Sequence, residues 1–415
     1  MSILIKNALL NGERSHICIE DNIISEIGNI VEADEVIDAR GMIALPGLVN
    51  THTHAAMTLL RGYGDDMPLH EWLQNRIWPA EAKLTGEMVY WGTRLAIIEM
   101  IKSGTTAFND MYFFMEDVAR AVNDGGIRAL LGYGFIDLFD EEKRENEIKA
   151  TESFVRYVEN MKNSRIRASV APHAIYTVSK EGLEWSAEFA REKGLRIHIH
   201  IAETEKELKD SIKEHGKSPV KYLDSMGFLG SDVIAAHSVW LDDEDMEIYS
   251  KRGVWPSHNP SSNMKLAVGK AMPYSSMRKW GIRPTLGTDG AASNNNLDMM
   301  EEMKIAALLQ KLSGDPTALP AHEAIKMATE WGSLALGFKA GKIEEGYLAD
   351  IILISTDIPE MVPMHNWESN IVYSANGSAV DTVICDGKIL MRNRRIEGEE
   401  EVLRKAKEMA ERFYS

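Results

Sequence analysis

From about residue 43 to residue 289, apolar strand-like runs alternate with amphipathic helical stretches about eight times, and few folds absorb that rhythm. Parallel strands joined by crossover helices do. The spacing predicts a (β/α)8 barrel of the α/β class, with strands at 43–52, 105–111, 127–135, 166–173, 196–201, 232–237, 253–258 and 283–289. The two ends of the chain read differently. Short β-type runs separated by turn signals fill the first forty residues (Ile3-Leu4-Ile5, His16-Ile17-Cys18-Ile19, Ile23-Ile24-Ser25-Glu26-Ile27). They return near the other end as Asp350-Ile351-Ile352-Leu353-Ile354 and a hairpin turning on Asp386-Gly387. A small β-sandwich domain built from both termini, residues 1–42 and 345–415, is therefore expected around a barrel at 43–344. The helical insertion holding Trp72, Trp78 and Glu81 should lie over the barrel mouth, and the charged helix from Glu399 to Tyr414 should present a solvated face.

Composition narrows the function. With 44% hydrophobic and 26% charged residues over 415 positions, the chain can bury a large core. No run of about 18 apolar residues and no charged-then-apolar leader is present, which predicts a cytoplasmic protein without a membrane partner. Cys18 and Cys385 are too few for a disulfide framework and are expected to be reduced packing residues. A formal net charge of −17 argues against nucleic acid, whose phosphates need a basic surface, and favours a small substrate.

Polar residues gather where the predicted strands end, which is where barrel enzymes keep their chemistry. His52-Thr53-His54 closes the first strand; alternation lets both imidazoles face one ion while Thr53 faces away. His173 ends the fourth strand, His200 the fifth, His237 the sixth, His258 the seventh and Asp289 the eighth. In Arg196-Ile197-His198-Ile199-His200, both histidines share the barrel face, and His200 is preferred as ligand because it lies nearer the mouth, leaving His198 as a core histidine. Asp289, between Thr288 and Gly290, could cap a helix, but the flanking glycines favour a metal role. For His258, orienting the loop and touching substrate remain equal alternatives. Three neutral imidazoles and a carboxylate suit Zn(II) first, with Fe(II) and Mn(II) as alternatives. Such an ion brings the pKa of a bound water to about 7.

The motifs Pro46-Gly47-Leu48-Val49-Asn50-Thr51-His52-Thr53-His54, His200-Ile201-Ala202-Glu203-Thr204, Gly287-Thr288-Asp289-Gly290 and Gly346-Tyr347-Leu348-Ala349-Asp350-Ile351 together resemble the mononuclear branch of the amidohydrolase superfamily, in its order and over nearly the whole chain. Trp78-Pro79-Ala80-Glu81, Ala171-Pro172-His173 and Asn259-Pro260-Ser261-Ser262-Asn263-Met264-Lys265-Leu266 look most like its 5′-methylthioadenosine/S-adenosylhomocysteine deaminases, with the archaeal 5′-deoxyadenosine deaminases the nearest group. Two-metal relatives carry a bridging lysine on the fourth strand, and residues 166–176 hold no lysine, so the resemblance implies one divalent ion per subunit.

That resemblance implies hydrolytic deamination of an adenine nucleoside at C6. His52, His54, His200 and Asp289 would hold the metal; Glu203 would protonate ring N1, His237 would orient and polarise the water, and Asp289 would pass its proton to the leaving ammonia. Glu81 would accept hydrogen bonds from the ribose diol, His173 would touch the sugar, and Trp72 or Trp78 would wall the pocket. Members adapted to S-adenosylhomocysteine are expected to carry an arginine near the third-strand end, where this chain has Tyr133. Lys143 and Arg144 follow it among Asp140, Glu141 and Glu142. Uncharged 5′ groups, as in 5′-deoxyadenosine and 5′-methylthioadenosine, are thus favoured, with adenosine and S-adenosylhomocysteine as further substrates. A homo-oligomer, dimer or tetramer, follows by analogy. The alternatives are a deaminase or chlorohydrolase of another heterocycle (guanine, cytosine or a triazine) and a non-catalytic scaffold, which would be expected to have lost ligands or the acid.

Overall fold

The computed structural model describes residues 2–29, 32–312 and 314–413. Its strands in chain order are β1 (Ser2–Leu10), β2 (Glu13–Glu20), β3 (Ile23–Ile27), β4 (Glu35–Asp38), β5 (Met42–Pro46), β6 (Leu48–Thr53), β7 (Thr105–Tyr112), β8 (Arg128–Phe135), β9 (Ile166–Pro172), β10 (Arg196–Ile201), β11 (Val233–His237), β12 (Trp255–His258), β13 (Thr285–Leu286), β14 (Ile351–Ser355), β15 (Val380–Cys385) and β16 (Lys388–Met391). Strands β6 to β13 pair in sequence order, every pair parallel. The eighth returns to the first through the Asp289 N–H, which donates to the His52 carbonyl at 2.9 Å. This is the expected (β/α)8 barrel. Inside its lower half, Val49, Ala107, Leu130 and Ile234, early residues of four strands, pack with Leu336 and Phe338.

The run read as one strand, 43–52, is two. Met42–Pro46 pairs antiparallel with β14 in the other sheet, and the chain crosses into the barrel at Gly47. A Cβ on Gly47 would overlap the Thr106 side chain, so the crossing needs glycine for space and not for its dihedral freedom. The eighth strand is also shorter than read, because regular pairing stops at Leu286.

The second sheet takes strands from both ends in the order β16-β15-β14-β5-β1-β2-β3, with β4 on β1. Period-two alternation divides its residues. Ile3, Ile5, Ile17, Ile19, Ile351, Leu353 and Ile384 make a core of their own, while Ile43, Leu45, Ile352, Ile354 and Val383 join the barrel core. The hairpin between β15 and β16 turns as expected on Asp386 and Gly387, at φ 52° and 68°. A buried Arg128, at the start of β8, donates to Asp350 at 2.6 Å and Asp386 at 2.7 Å and ties barrel to sheet. Asp350 also accepts the Asp386 N–H at 2.8 Å, which gives the Gly346–Ile351 motif its structural reason.

Helix starts are written locally: Thr85, Asp140, Ser179, Thr204, Ser218 and Asp242 each accept the backbone N–H three residues on. The terminal helix Glu399–Glu411 presents the expected solvated face, with Glu400, Arg404 and Lys407 exposed, and packs with its other side. Val402, Ala406 and Met409, at helical spacing, are buried, with ion pairs Lys102–Glu399 and Arg412–Glu87, each 2.8 Å, along the helix Gly86–Lys102. Tyr414 lies outside the described residues. Cys18 and Cys385 are both buried, and no disulfide joins them. Among the described residues, no helix is long and apolar enough to cross a membrane.

Candidate active site

His52 and His54 project from the end of β6 with Thr53 turned away, its hydroxyl donating to Asp110 Oδ1 at 2.8 Å. His198 and His200 face inward from β10, as alternation requires. His237 does not follow alternation. Ile234 and Ala236 of β11 point into the barrel, which would send His237 outward, yet its φ of 69° swings the ring back in. Asp289 (φ 62°) and Ala202 (φ 53°) also sit in the left-handed region, which non-glycine residues enter at a cost of about 1–2 kcal/mol. Three such residues beside one cluster mark strain held for function.

The cluster presents one kind of atom. His54 Nδ1 donates to the Met111 carbonyl at 2.7 Å and His200 Nδ1 to the His173 carbonyl at 2.8 Å, while His52 Nδ1 meets His198 Nε2 at 2.8 Å. With their Nδ1 protons on carbonyl oxygens, His54 and His200 offer the Nε2 lone pair, and the His198 contact occupies His52 Nδ1 and leaves His52 Nε2 facing the cluster. His52 Nε2 is fully buried with no hydrogen-bond partner, 3.3 Å from Asp289 Oδ1; His54 Nε2 is 3.4 Å from the same oxygen. The donor atoms of His52, His54 and His200, and those of His52, His237 and Asp289, each lie within 4.8 Å of one another. A buried, unpartnered nitrogen facing a carboxylate and further imidazoles is what a divalent cation satisfies, so these residues fit the implied metal. Burial lowers His52 to about 4 and holds His200 well below its usual range, keeping both neutral and ligand-competent. Burial alone would raise Asp289, but the His52 contact and the neighbouring imidazoles hold it well down and ionised.

A cavity of about 290 Å³ opens beside the cluster, at the small end of the range for small-molecule sites. Glu203, His237, His173, Glu81, Trp72 and Trp78 all line it, together with His54, His200 and Asp289. Glu203 is 6% exposed and 3.8 Å from His237 Nδ1; burial pushes its carboxyl up, against the pull of His237. His237 Nδ1 donates to Asn263 Oδ1 at 2.8 Å. Burial lowers its imidazole, but Glu203 and Asp289 outweigh that and the net shift is upward. Burial raises Glu81 to about 7, against the nearby Tyr112 phenol, whose oxygen faces it without reaching hydrogen-bond geometry. His173 Nδ1 meets Thr177 Oγ1 at 2.8 Å, and burial keeps the ring neutral with a pKa of about 3. Trp72 is buried and Trp78 is 45% exposed.

Tyr133 is a correction. It does not line the cavity; residues 128, 130, 132 and 134 of β8 take the inner face, and Tyr133 turns to the helix layer near Glu147. Gly134, Ile136 and Leu138 line the wall instead. Neither Lys143 nor Arg144 reaches it. His258 is also outside the cavity, fully buried with both ring nitrogens unpartnered.

Several supporting residues went unread. His198 is buried as a core histidine would be, and it also meets His52 Nδ1 at 2.8 Å and so orients that ring. Ser262 and Ser293 donate to Asp289 Oδ2 at 2.6 and 3.1 Å. Ser262 and Asn263 lay inside the quoted Asn259–Leu266 motif, but nothing in the sequence tells which strand-end side chain each reaches.

The chain matches the model described as Amidohydrolase family over residues 43–390. A protein of Methanoregula boonei named 5′-deoxyadenosine deaminase is 57% identical over 92% of this chain and 87% of its own. One of Archaeoglobus fulgidus named 5-methylthioadenosine/S-adenosylhomocysteine deaminase 1 is 50% identical over 99% of both chains. Among solved structures, an adenosine deaminase from Xanthomonas campestris with bound zinc superposes with a TM-score of 0.94 at 32% identity, covering 99% of this chain and 98% of that one.

Proposed function

The chain belongs to the amidohydrolase family, and from that premise we propose that it hydrolytically deaminates adenine nucleosides at C6, releasing ammonia and the inosine analogue. The observation that carries this is one small cavity in which imidazoles presenting Nε2, a protonation-prone carboxyl at Glu203 and a second carboxyl at Glu81 converge. Fifty to fifty-seven per cent identity to the two archaeal deaminases supports the nucleoside as substrate.

One divalent ion, zinc in our reading, would be held by His52, His54, His200 and Asp289, and when bound would supply a water activated toward hydroxide at neutral pH. Glu203, whose carboxyl burial pushes up from the usual carboxylate range, donates a proton to N1 of the purine as electron density moves onto the ring. His237, its Nδ1 anchored on Asn263, turns Nε2 toward the cavity and orients the attacking water. Asp289, steadied by Ser262 and Ser293, takes up a proton and delivers it to the departing amine. Glu81 accepts the 2′ and 3′ hydroxyls, neutral His173 contacts the sugar, and Trp72 walls the base. No Lys or Arg lines the cavity among the described residues, so an amino-acid carboxylate on the 5′ group gains no guanidinium partner there. 5′-Deoxyadenosine and 5′-methylthioadenosine are therefore the favoured substrates, ahead of S-adenosylhomocysteine, with adenosine also accepted.

Ammonia release by zinc-loaded protein from these four nucleosides, guanine, cytosine and a triazine tests the reading. Release from the 5′-deoxy and methylthio compounds with kcat/KM at least equal to that for S-adenosylhomocysteine is expected. Faster turnover of guanine, cytosine or the triazine would overturn the nucleoside assignment, and a strong preference for S-adenosylhomocysteine would overturn the 5′ assignment.

A further inference from the structure

The carboxyl assigned as acid is not held by its own contacts. Among the described residues, the Glu203 carboxyl oxygens make no hydrogen bond, and the nearest charged partner is His237 Nδ1 at 3.8 Å. Its direction depends on the backbone that carries it. That backbone leaves β10 through Ala202 at φ 53°, a left-handed turn that an alanine adopts only when its surroundings enforce it.

The surroundings are a second buried carboxyl. Glu207, 6% exposed, accepts the Ala202 N–H on Oε1 at 2.9 Å and the Glu203 N–H on Oε2 at 2.8 Å. Across the turn, the Val239 and Trp240 N–H groups donate to the Ala202 carbonyl at 3.0 and 2.8 Å, so its peptide groups are held from both sides. Local sequence explains how Glu207 gets there. Thr204 is the N-cap of the helix Glu205–His215 and accepts the Glu207 N–H at 3.1 Å, which makes Glu207 the third helical residue. In a capping box that residue's carboxyl returns to the N-cap N–H. Here it reaches further back, past Thr204, and takes two successive peptide N–H groups upstream of the cap.

We propose that Glu207 is the positioning residue for the catalytic acid: its two-pronged grip on Ala202 and Glu203 sets the left-handed turn that aims Glu203 at the substrate ring. This rests on the acid role given to Glu203 above. Displacing a reacting group by about 1 Å costs on the order of a hundredfold in rate, so loosening the grip acts on kcat and leaves nucleoside binding largely alone. A helix-capping role without this coupling would lower stability and leave the chemistry of folded protein intact.

A double-mutant cycle separates the two. Zinc-loaded Glu203→Gln, Glu207→Gln and the double variant are assayed on 5′-deoxyadenosine, with zinc content and melting temperature recorded. Glu207→Asp serves as a second probe, keeping the carboxyl but shortening the reach, and the exposed Glu205→Gln as control. Glu207→Gln is expected to lose roughly ten- to a hundredfold in kcat with KM within about threefold and zinc retained. In the Glu203→Gln background it should cost nothing further, because there is no longer an acid to aim. Glu207→Asp should also lose kcat, and Glu205→Gln should match the wild type. An unchanged kcat in Glu207→Gln and Glu207→Asp, or an equal loss in both backgrounds, would overturn the proposal while leaving the Glu203 role standing. Full activity of Glu203→Gln would instead remove the acid role, and this inference with it.

Discussion

At the scale of single residues, the candidate site sets a cluster of imidazoles beside two carboxyls, Glu203 and Glu81, that burial pushes up. If Glu203 is an acid and not a ligand, Glu203→Gln should retain a full complement of zinc by elemental analysis while losing at least about a hundredfold in activity. Loss of metal in step with activity would reassign it. Glu81 carries a pH signature. Its carboxyl, raised by burial from 4.5 to about 7, is ionised above that pH and protonated below it, and only the ionised form accepts from both hydroxyls of a diol. KM for 5′-deoxyadenosine should therefore rise as pH falls from 8 to 6, whereas KM for the 2′,3′-dideoxy analogue should change little. Parallel KM curves for the two compounds would remove Glu81 from the sugar.

At the scale of elements, the barrel depends on short transitions that pattern reading treats coarsely. Gly47→Ala should destabilise the protein by about 1–3 kcal/mol, the scale for forcing atoms into a packed site, because the added methyl overlaps Thr106 where β5 leaves one sheet and β6 enters the other. A denaturant midpoint equal to the wild type would show that Thr106 gives way. The same junction shows what was legible. Apolar periodicity located all eight barrel strands, since buried parallel strands are continuous hydrophobic runs, and the rim histidines followed from where those runs stop. It could not see the break at Gly47, because both sides of the break are buried and equally apolar. Strict alternation would have turned His237 away from the site, since a left-handed φ at a histidine has no pattern in sequence. Tyr133 erred the other way: a position taken from resemblance carried no test of strand parity, which points it at the helices. The His52–His198 contact joins residues 146 apart, and only the barrel brings them together.

At the scale of the whole molecule, buried carboxyls make stability depend on pH in an unusual direction. Glu302 is fully buried, accepts from Asn294 Nδ2 at 2.6 Å, and is pushed by burial from 4.5 to about 8. Because the folded pKa lies above the unfolded one, its contribution is complete below about 4.5 and is lost as pH rises through about 8. Glu302→Gln keeps the acceptor and removes the proton. Between pH 5 and pH 8 the denaturant midpoint of the wild type should fall further than that of the variant; equal slopes would show that Glu302 is already ionised at the lower pH.

The pairing of β5 with β14 has a consequence in time. Ile352 sits across from Leu45, and roughly 300 residues must be made between them, which takes on the order of 15–60 s at ordinary rates of synthesis. For that interval the nascent chain holds β1 to β5 with one sheet edge open and the apolar face of Ile43 and Leu45 without its β14 neighbours. The barrel emerges from the ribosome before the sheet that packs against it can close.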